Sequence, residues 1–284
     1  MNTRSKFSIV TFISLLVLVA VFASQCRKSN RALEVKNAAP IDNATAVNIF
    51  NNVFKTVHAL AWENSLLNGI QDTIQANIID NCIDSVLFSN STVTFPNTVV
   101  IDFGSSASSC ANSYYTSGML RAVFSGQYDS SGTSVTITFS NYEVDSMSIS
   151  GAMTIRNKGY NVDNNYIFNI AVENAKIEHD SINISWNSSR IYEWISGDIT
   201  DDISDDKFEI SGTSNGRTSN GNEFDAEIVD NLLYSMNCNW ISQGSIDMNL
   251  GPSLSPRIID YGSGTCDENA TVTYKNTTYE LEMR

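Results

Sequence analysis

The sequence predicts an all-β fold: an antiparallel β-sandwich or large curved meander, built as one unit or two similar halves, with one N-terminal amphipathic helix. Three observations carry this. From residue 78 onward apolar and polar residues alternate with a period of two, the signature of strands with one buried face. Turn-forming pairs interrupt the alternation at short intervals. An Ile-Asp-aromatic-Gly block flanked by cysteines occurs twice, in the same order of features.

The chain opens with Arg4 and Lys6, then an apolar run from Phe7 to Phe22 broken only by Ser and Thr. That run suits a secretory signal and is short for a membrane span of about 20 residues. Ala23, Ser24 and Gln25 precede Cys26, an order that resembles the lipobox of bacterial lipoproteins. The resemblance implies that residues 1–25 are a lipoprotein signal peptide and that Cys26 becomes the lipidated N-terminus. Gln25 departs from the usual Gly, Ala or Ser, although lipoproteins of Bacteroidetes tolerate a looser box. Ordinary cleavage or an uncleaved anchor are the alternatives.

Residues 26–43 are polar and aperiodic, a composition that buries too little apolar surface to order itself, and they read as a tether. Arg27, Lys28 and Arg31 make its start basic. Surface-exported lipoproteins of this bacterial group resemble one another in an acidic stretch there, so the expected location is the periplasmic face of the outer membrane. A helix over 44–69 follows. Asn43 or Thr45 caps it, Val47, Phe50, Phe54, Val57 and Ala61 form its apolar stripe, and Gly69 stops it. His58 within it reads as a packed or solvated side chain rather than a ligand or base.

The β domain spans 78–284. Its strands are read at Thr92–Phe95, Val99–Phe103, Ser134–Phe139, Asn183–Trp186 and Ala270–Tyr274. Turns are read at Asp129-Ser-Ser-Gly, Asn157-Lys-Gly, Asn215-Gly, Asn220-Gly and Lys275-Asn. The recurring Ile-Ser-Gly at 149–151, 195–197 and 210–212, with the variant Ile241-Ser-Gln-Gly, reads as strands ending in glycine turns. Cys82 and Cys110 bracket Ile101-Asp-Phe-Gly, and Cys238 and Cys266 bracket Ile259-Asp-Tyr-Gly, each pair 28 residues apart. The expected disulfides are Cys82–Cys110 and Cys238–Cys266; crossed pairing or free thiols remain open. Without a close Cys-x-x-Cys pair, zinc is not expected.

The layout of lipobox, polar tether, short helix, IDFG block, ISG and NKG strands, RIYEW (190–194), CNW (238–240) and the terminal IDYGSGTCDENATVTYKNTTYELEM is similar to a family of Bacteroidetes envelope lipoproteins. The resemblance covers most of 78–284. It implies envelope location and β architecture; the family has no assigned activity, so it implies no catalytic residue.

Charge excludes some functions. The formal net charge is −14, and with every acid beyond Cys26 the chain without Arg4 and Lys6 carries 15 basic against 31 acidic side chains, near −16. Such a surface repels nucleic-acid phosphates and anionic lipid, so the only expected membrane contact is the lipid anchor. Gly212-Thr-Ser-Asn-Gly216 matches G-x-S-x-G, but strand-like Asn222–Ile228 follows where a nucleophile elbow needs a helix, and the motif reads as a hairpin tip. His179 sits in an expected turn. Asp198, Asp201, Asp202, Asp205 and Asp206 offer oxygen ligands suited to Ca²⁺, against the plainer reading of a solvated acidic loop. No other cofactor is expected. Trp186, Tyr192, Trp194 and Trp240 could form a platform for glycan or peptide, although strand aromatics usually belong to the core. The resulting expectation is a non-catalytic structural or interaction protein that binds glycan or another envelope protein. The alternative is a carboxylate-based hydrolase of envelope polysaccharide or peptide.

Overall fold

The structure, a computed structural model, describes residues 38–62, 82–89, 94–110, 114–200, 202–251 and 254–283. Contacts divide the chain into units 1–38 and 39–284, and the whole sheet belongs to the second. Cys26, the signal segment and Gly69 lie outside the described residues.

The period-two sequence forms a single antiparallel sheet. Its strands are β1 (Ser85–Phe88), β2 (Asn97–Asp102), β3 (Ser108–Ser109), β4 (Tyr115–Phe124), β5 (Ser134–Val144), β6 (Met147–Tyr160) and β7 (Tyr166–His179). They continue with β8 (Ile182–Ser196), β9 (Lys207–Arg217), β10 (Glu223–Ser235), β11 (Ile241–Asn249), β12 (Arg257–Ser263), β13 (Asn269–Tyr274) and β14 (Thr277–Glu282). Each strand pairs with its neighbours in sequence, except that β2 pairs with β4 and the two-residue β3 lies alongside β4. This is the predicted curved meander.

A sheet of this size must curl. It curls around the helix α1, described over 38–62. The predicted stripe of Val47, Phe50, Phe54, Val57 and Ala61 is buried, but so are Ala44, Ala46, Ile49, Val53 and Leu60 on other faces. No residue of 38–62 is exposed. The helix is amphipathic as expected, with its apolar stripe buried against the sheet and Asn52, Lys55 and Thr56 half-buried on the opposite side; α1 fills the hollow of the sheet, so even that side is only partly open. The helix also begins earlier than expected. Residues 38–43, read as the end of the tether, are helical.

β8 runs alongside α1. From Trp186 to Trp194 it spans about 26 Å, close to the ~28 Å from residue 43 to residue 62 of the helix. Its inward residues meet α1 in order. Trp186 stacks on Phe50 at 5.3 Å, Tyr192 packs on Phe54 at 4.9 Å, and Trp194 contacts His58 and Trp62 at 4.8 and 4.6 Å.

The curl is made by bulges, which corrects the reading of Ile-Ser-Gly. Gly197 does follow the end of β8, but Gly151 and Gly212 lie inside β6 and β9. Both have left-handed φ, 109° and 123°. A Cβ on Gly151 would lie 2.7 Å from Ala175 Cα; one on Gly212 would meet the Ser189 carbonyl oxygen and sit 2.8 Å from Arg190 Cα. Glycine here lets a long strand bend while its neighbour stays close. Asn157-Lys-Gly is likewise a bulge within β6, where Asn157 Oδ1 accepts the Gly159 N–H at 2.6 Å. Asn215-Gly lies within β9, and Thr94–Phe95 of the first expected strand precede β2 without strand structure.

Both expected disulfides form, Cys82–Cys110 and Cys238–Cys266, with Cα separations of 4.7 and 5.9 Å. Each closes over an antiparallel hairpin, β1–β2 and β11–β12. The repeated Ile-Asp-aromatic-Gly block makes the same turn twice: Asp102 Oδ1 accepts the Gly104 N–H and Asp260 Oδ1 the Gly262 N–H, both at 2.8 Å.

Candidate functional site

Polar chemistry gathers at two places, one sealed and one open. The sealed one follows α1. Asn43 Oδ1 accepts from Trp186 Nε1 and from Ser214 Oγ, both at 3.0 Å. Asn51 Oδ1 accepts from the Tyr192 hydroxyl at 2.5 Å, and its backbone oxygen accepts from the Tyr234 hydroxyl at 3.4 Å. His58 Nδ1 lies 2.9 Å from the Tyr128 hydroxyl, while Nε2 stands 3.6 Å from Asp206 Oδ2, beyond hydrogen-bond range. Burial lowers the His58 pKa against the pull of Asp206 and raises that of Asp206 against the pull of His58. Burial also holds Tyr128 well above its usual range, with Asp206 adding to the rise. This Asp–His–hydroxyl series has the composition of a proton relay, but its three residues are at most 1 % exposed. No substrate reaches it, and it ties α1 to the β4–β5 and β8–β9 connections.

The structure separates the residues singled out in the sequence. Trp186, Tyr192 and Trp194 are buried at 2 % exposure or less, and Trp240 is half-buried against Tyr114. The expected binding platform is thus corrected: the inward face of β8 supplies core around α1. The acidic set also divides. Asp206 turns inward to His58, Asp202 caps a short 3-10 turn by accepting the Ser204 N–H at 2.9 Å, and Asp205 accepts from Thr200 Oγ1 at 2.9 Å. Asp198 is half-buried, and Asp201 lies outside the described residues. Among the described residues no group of three or more His, Cys, Asp or Glu is placed to hold a metal ion. The G-x-S-x-G segment is not a hairpin tip: β9 runs through it, Ser214 faces Asn43, and the turn comes at Thr218–Asn222. His179 ends β7 beside the turn at Asp180, 3.5 Å from that carboxylate.

The open place is a groove of about 800 Å³ on the outer face of β7–β11. Registry builds it. Asn187, Asn215, Asp225 and Asn249 stand directly opposite one another across β8 to β11, and Ser189, Thr213, Glu227 and Asp247 form the adjacent row. Glu173 of β7 and Pro256 complete the lining, which contains no Lys, Arg or His. Asn187 is fixed by accepting the Asn174 N–H at 2.8 Å. Glu227 and Asp247 are an in-register like-charged pair, unfavourable for the sheet alone. The arrangement presents carboxylates, carboxamides and hydroxyls at strand spacing, a set able to accept and donate hydrogen bonds to a polyhydroxylated ligand.

Sequence reasoning did not single out this groove, nor Asn51 or Arg190 in the core, and it read Asn43 only as a helix cap. The run of Asn along the helix was a readable signal. The groove had none, because its residues converge only once the register of five strands is set.

No family model matches the chain, and no curated protein and no solved structure is found to be similar to it.

Proposed function

We propose that this chain is a lipid-anchored protein of the cell envelope, held through Cys26 at the periplasmic face of the outer membrane, with a non-catalytic binding role. The groove over β7–β11 is the surface it uses, and a neutral or amino-bearing envelope glycan is its ligand. The observation that carries the reading is the convergence of Asn187, Asn215, Asp225, Asn249, Thr213 and Asp247 from four adjacent strands. Asp and Asn oxygens at this spacing match pairs of neighbouring sugar hydroxyls, while the lack of cations disfavours anionic polymers.

Binding of neutral and amino-sugar oligosaccharides, measured by calorimetry, tests the reading. Asn215→Ala with Asp225→Ala should weaken binding at least tenfold without lowering the melting temperature. If the intact chain binds none of these sugars, or the double variant binds equally well, the groove is not the site. The anchor is tested separately: Cys26→Ala should move the protein from the membrane to the soluble fraction, and an unmoved variant rejects lipidation.

Glu227 opposite Asp247 favours a second reading, a carboxylate-based hydrolase of envelope polysaccharide or peptide. Release of shortened products by the parent but not by Glu227→Gln would replace binding with catalysis.

A further inference from the structure

Arg190 is a cation of the core. It points inward from β8 between Trp186 and Tyr192, is 3 % exposed, and its guanidinium lies over the Trp186 ring at 5.4 Å. Its cross-strand partners are Ile170 and Gly212, neither able to pair with it. Nε and Nη1 are buried without a hydrogen-bond partner, and among the described residues no carboxylate makes an ion pair with it. A guanidinium keeps its charge at any pH a folded protein experiences. An uncompensated buried charge is strongly destabilising, and a cation–π contact of about 2 kcal/mol offsets only part of that.

The groups around it share a polarity. Arg190 hydrogen-bonds the Tyr192 side chain, leaving Nε and Nη1 as its unpartnered donors, and its charge reaches Tyr192 and Tyr261, opposing in both the rise that burial imposes, which brings the Tyr261 hydroxyl to about 12. The Tyr261 hydroxyl is itself buried without a partner. Asn51, whose Oδ1 is taken by Tyr192, leaves its Nδ2 buried and unpartnered. The unpartnered groups at Arg190 and at Asn51, which is linked to it through Tyr192, are donors, and the Tyr261 hydroxyl is free to donate as well. The inward carboxylate oxygen that also lacks a partner, Asp206 Oδ2, belongs to the His58 end of the helix. A surplus of buried donors around a cation is satisfied by an acceptor carrying negative charge.

We infer that Arg190, with the Tyr261 hydroxyl, forms an internal site for a small monovalent anion, halide or carboxylate, held between β8, β12 and α1. One positive charge matches one negative charge, and the aromatic walls of Trp186 and Tyr192 disfavour a bulky, multiply charged oxyanion. Since Arg190 is sealed from solvent, the anion enters as the sheet closes on α1 and then acts as part of the core.

Bromide is the probe. Crystals of the protein refolded and grown in sodium bromide should show an anomalous peak within hydrogen-bond distance of Arg190. A peak confined to surface cations, or only a water at Arg190, overturns the inference. In solution, replacing sodium gluconate by sodium bromide at constant ionic strength should raise the melting temperature by about 3 °C once bromide is near ten times its dissociation constant. Arg190→Met, which keeps the stem and removes the charge, should abolish that difference. An equal bromide effect in Arg190→Met, or none in the parent, overturns it. Should Arg190→Met fail to fold, Tyr261→Phe provides the second variant and should reduce the bromide shift while leaving the fold intact.

Discussion

Trp186 on β8 donates its indole N–H to Asn43 Oδ1 on α1 at 3.0 Å, joining residues 143 apart in the chain. Ser214 on β9 donates to the same oxygen. One carboxamide thus holds two adjacent strands to the helix at the end where α1 begins, and His58 with Tyr128 and Asp206 does the corresponding work three turns or more further on. Between these two points Asn51 accepts from the Tyr192 and Tyr234 hydroxyls, and the remaining contacts are apolar and aromatic. The polar links set which turn of α1 faces which residue of β8, a choice that apolar packing alone leaves degenerate.

Removing that acceptor should be expensive. Asn43→Leu leaves the Trp186 N–H and the Ser214 hydroxyl buried and unpaired, and should lower the unfolding free energy by about 2–4 kcal/mol in urea titrations. Adding Trp186→Phe, which removes one of the stranded donors, should make the double variant less unstable than the two single losses summed.

Acidification should destabilise the fold through His58. Its folded pKa lies below 6.5, so as pH falls through 6.5 the unfolded chain binds a proton that the folded state refuses. Stability therefore declines by up to about 1.4 kcal/mol per pH unit until the lowered folded value is reached. Asp206 acts in the opposite sense, because burial raises its folded pKa above 3.8: its contribution is present at low pH and is lost as pH rises from 3.8 through the raised folded value. Urea midpoints between pH 7.5 and 5 should thus fall, and the slope should flatten in His58→Gln. An unchanged slope assigns the pH dependence elsewhere.

Gly212→Ala should lose at least about 2 kcal/mol, well above an ordinary strand substitution, because its φ is left-handed and the added Cβ meets the backbone of β8. Gly132→Ala shares the left-handed φ but meets nothing within 4 Å, so it isolates the backbone contribution and should lose less. Melting temperatures of the two variants compare them directly.

Replacing Cys238 and Cys266 by Ser should lower stability by roughly 3.5 kcal/mol, the chain-entropy value for freeing a loop of 28 residues. Cys82→Ser with Cys110→Ser should have a similar effect, since its loop is the same length. A reducing agent added to the parent should reproduce the sum of both losses.

Much of this architecture was legible locally. Alternation over residues such as Ser134–Phe139 requires a strand with one buried face wherever that strand ends up, and the meander follows from short turns like Asp129–Gly132. The two Asp-aromatic-Gly turns are closed by their own side chains, and each cysteine pair brackets a single hairpin, so nearby chain suffices to bring them together. What only the tertiary structure decided depends on distant partners. Val47, Phe50 and Phe54 mark one apolar face of α1, yet nothing in the helix announces that the sheet closes on its other faces. Trp186 and Trp194 read equally well as platform or core until β8 is laid along α1. Asp206 reads like its acidic neighbours until His58, far back in the chain, lies beside it. The Ile-Ser-Gly glycines mark a special backbone conformation, and whether that is a turn or a mid-strand bend depends on the strand alongside. Asn187, Asp225 and Asp247 are ordinary outward residues that share a groove because five strands take one register. Sequence periodicity thus determined the sheet and its staples, since those arise from short-range geometry. Curvature, burial and the groove were decided by the closure of the sheet on α1, since that alone brings distant side chains together.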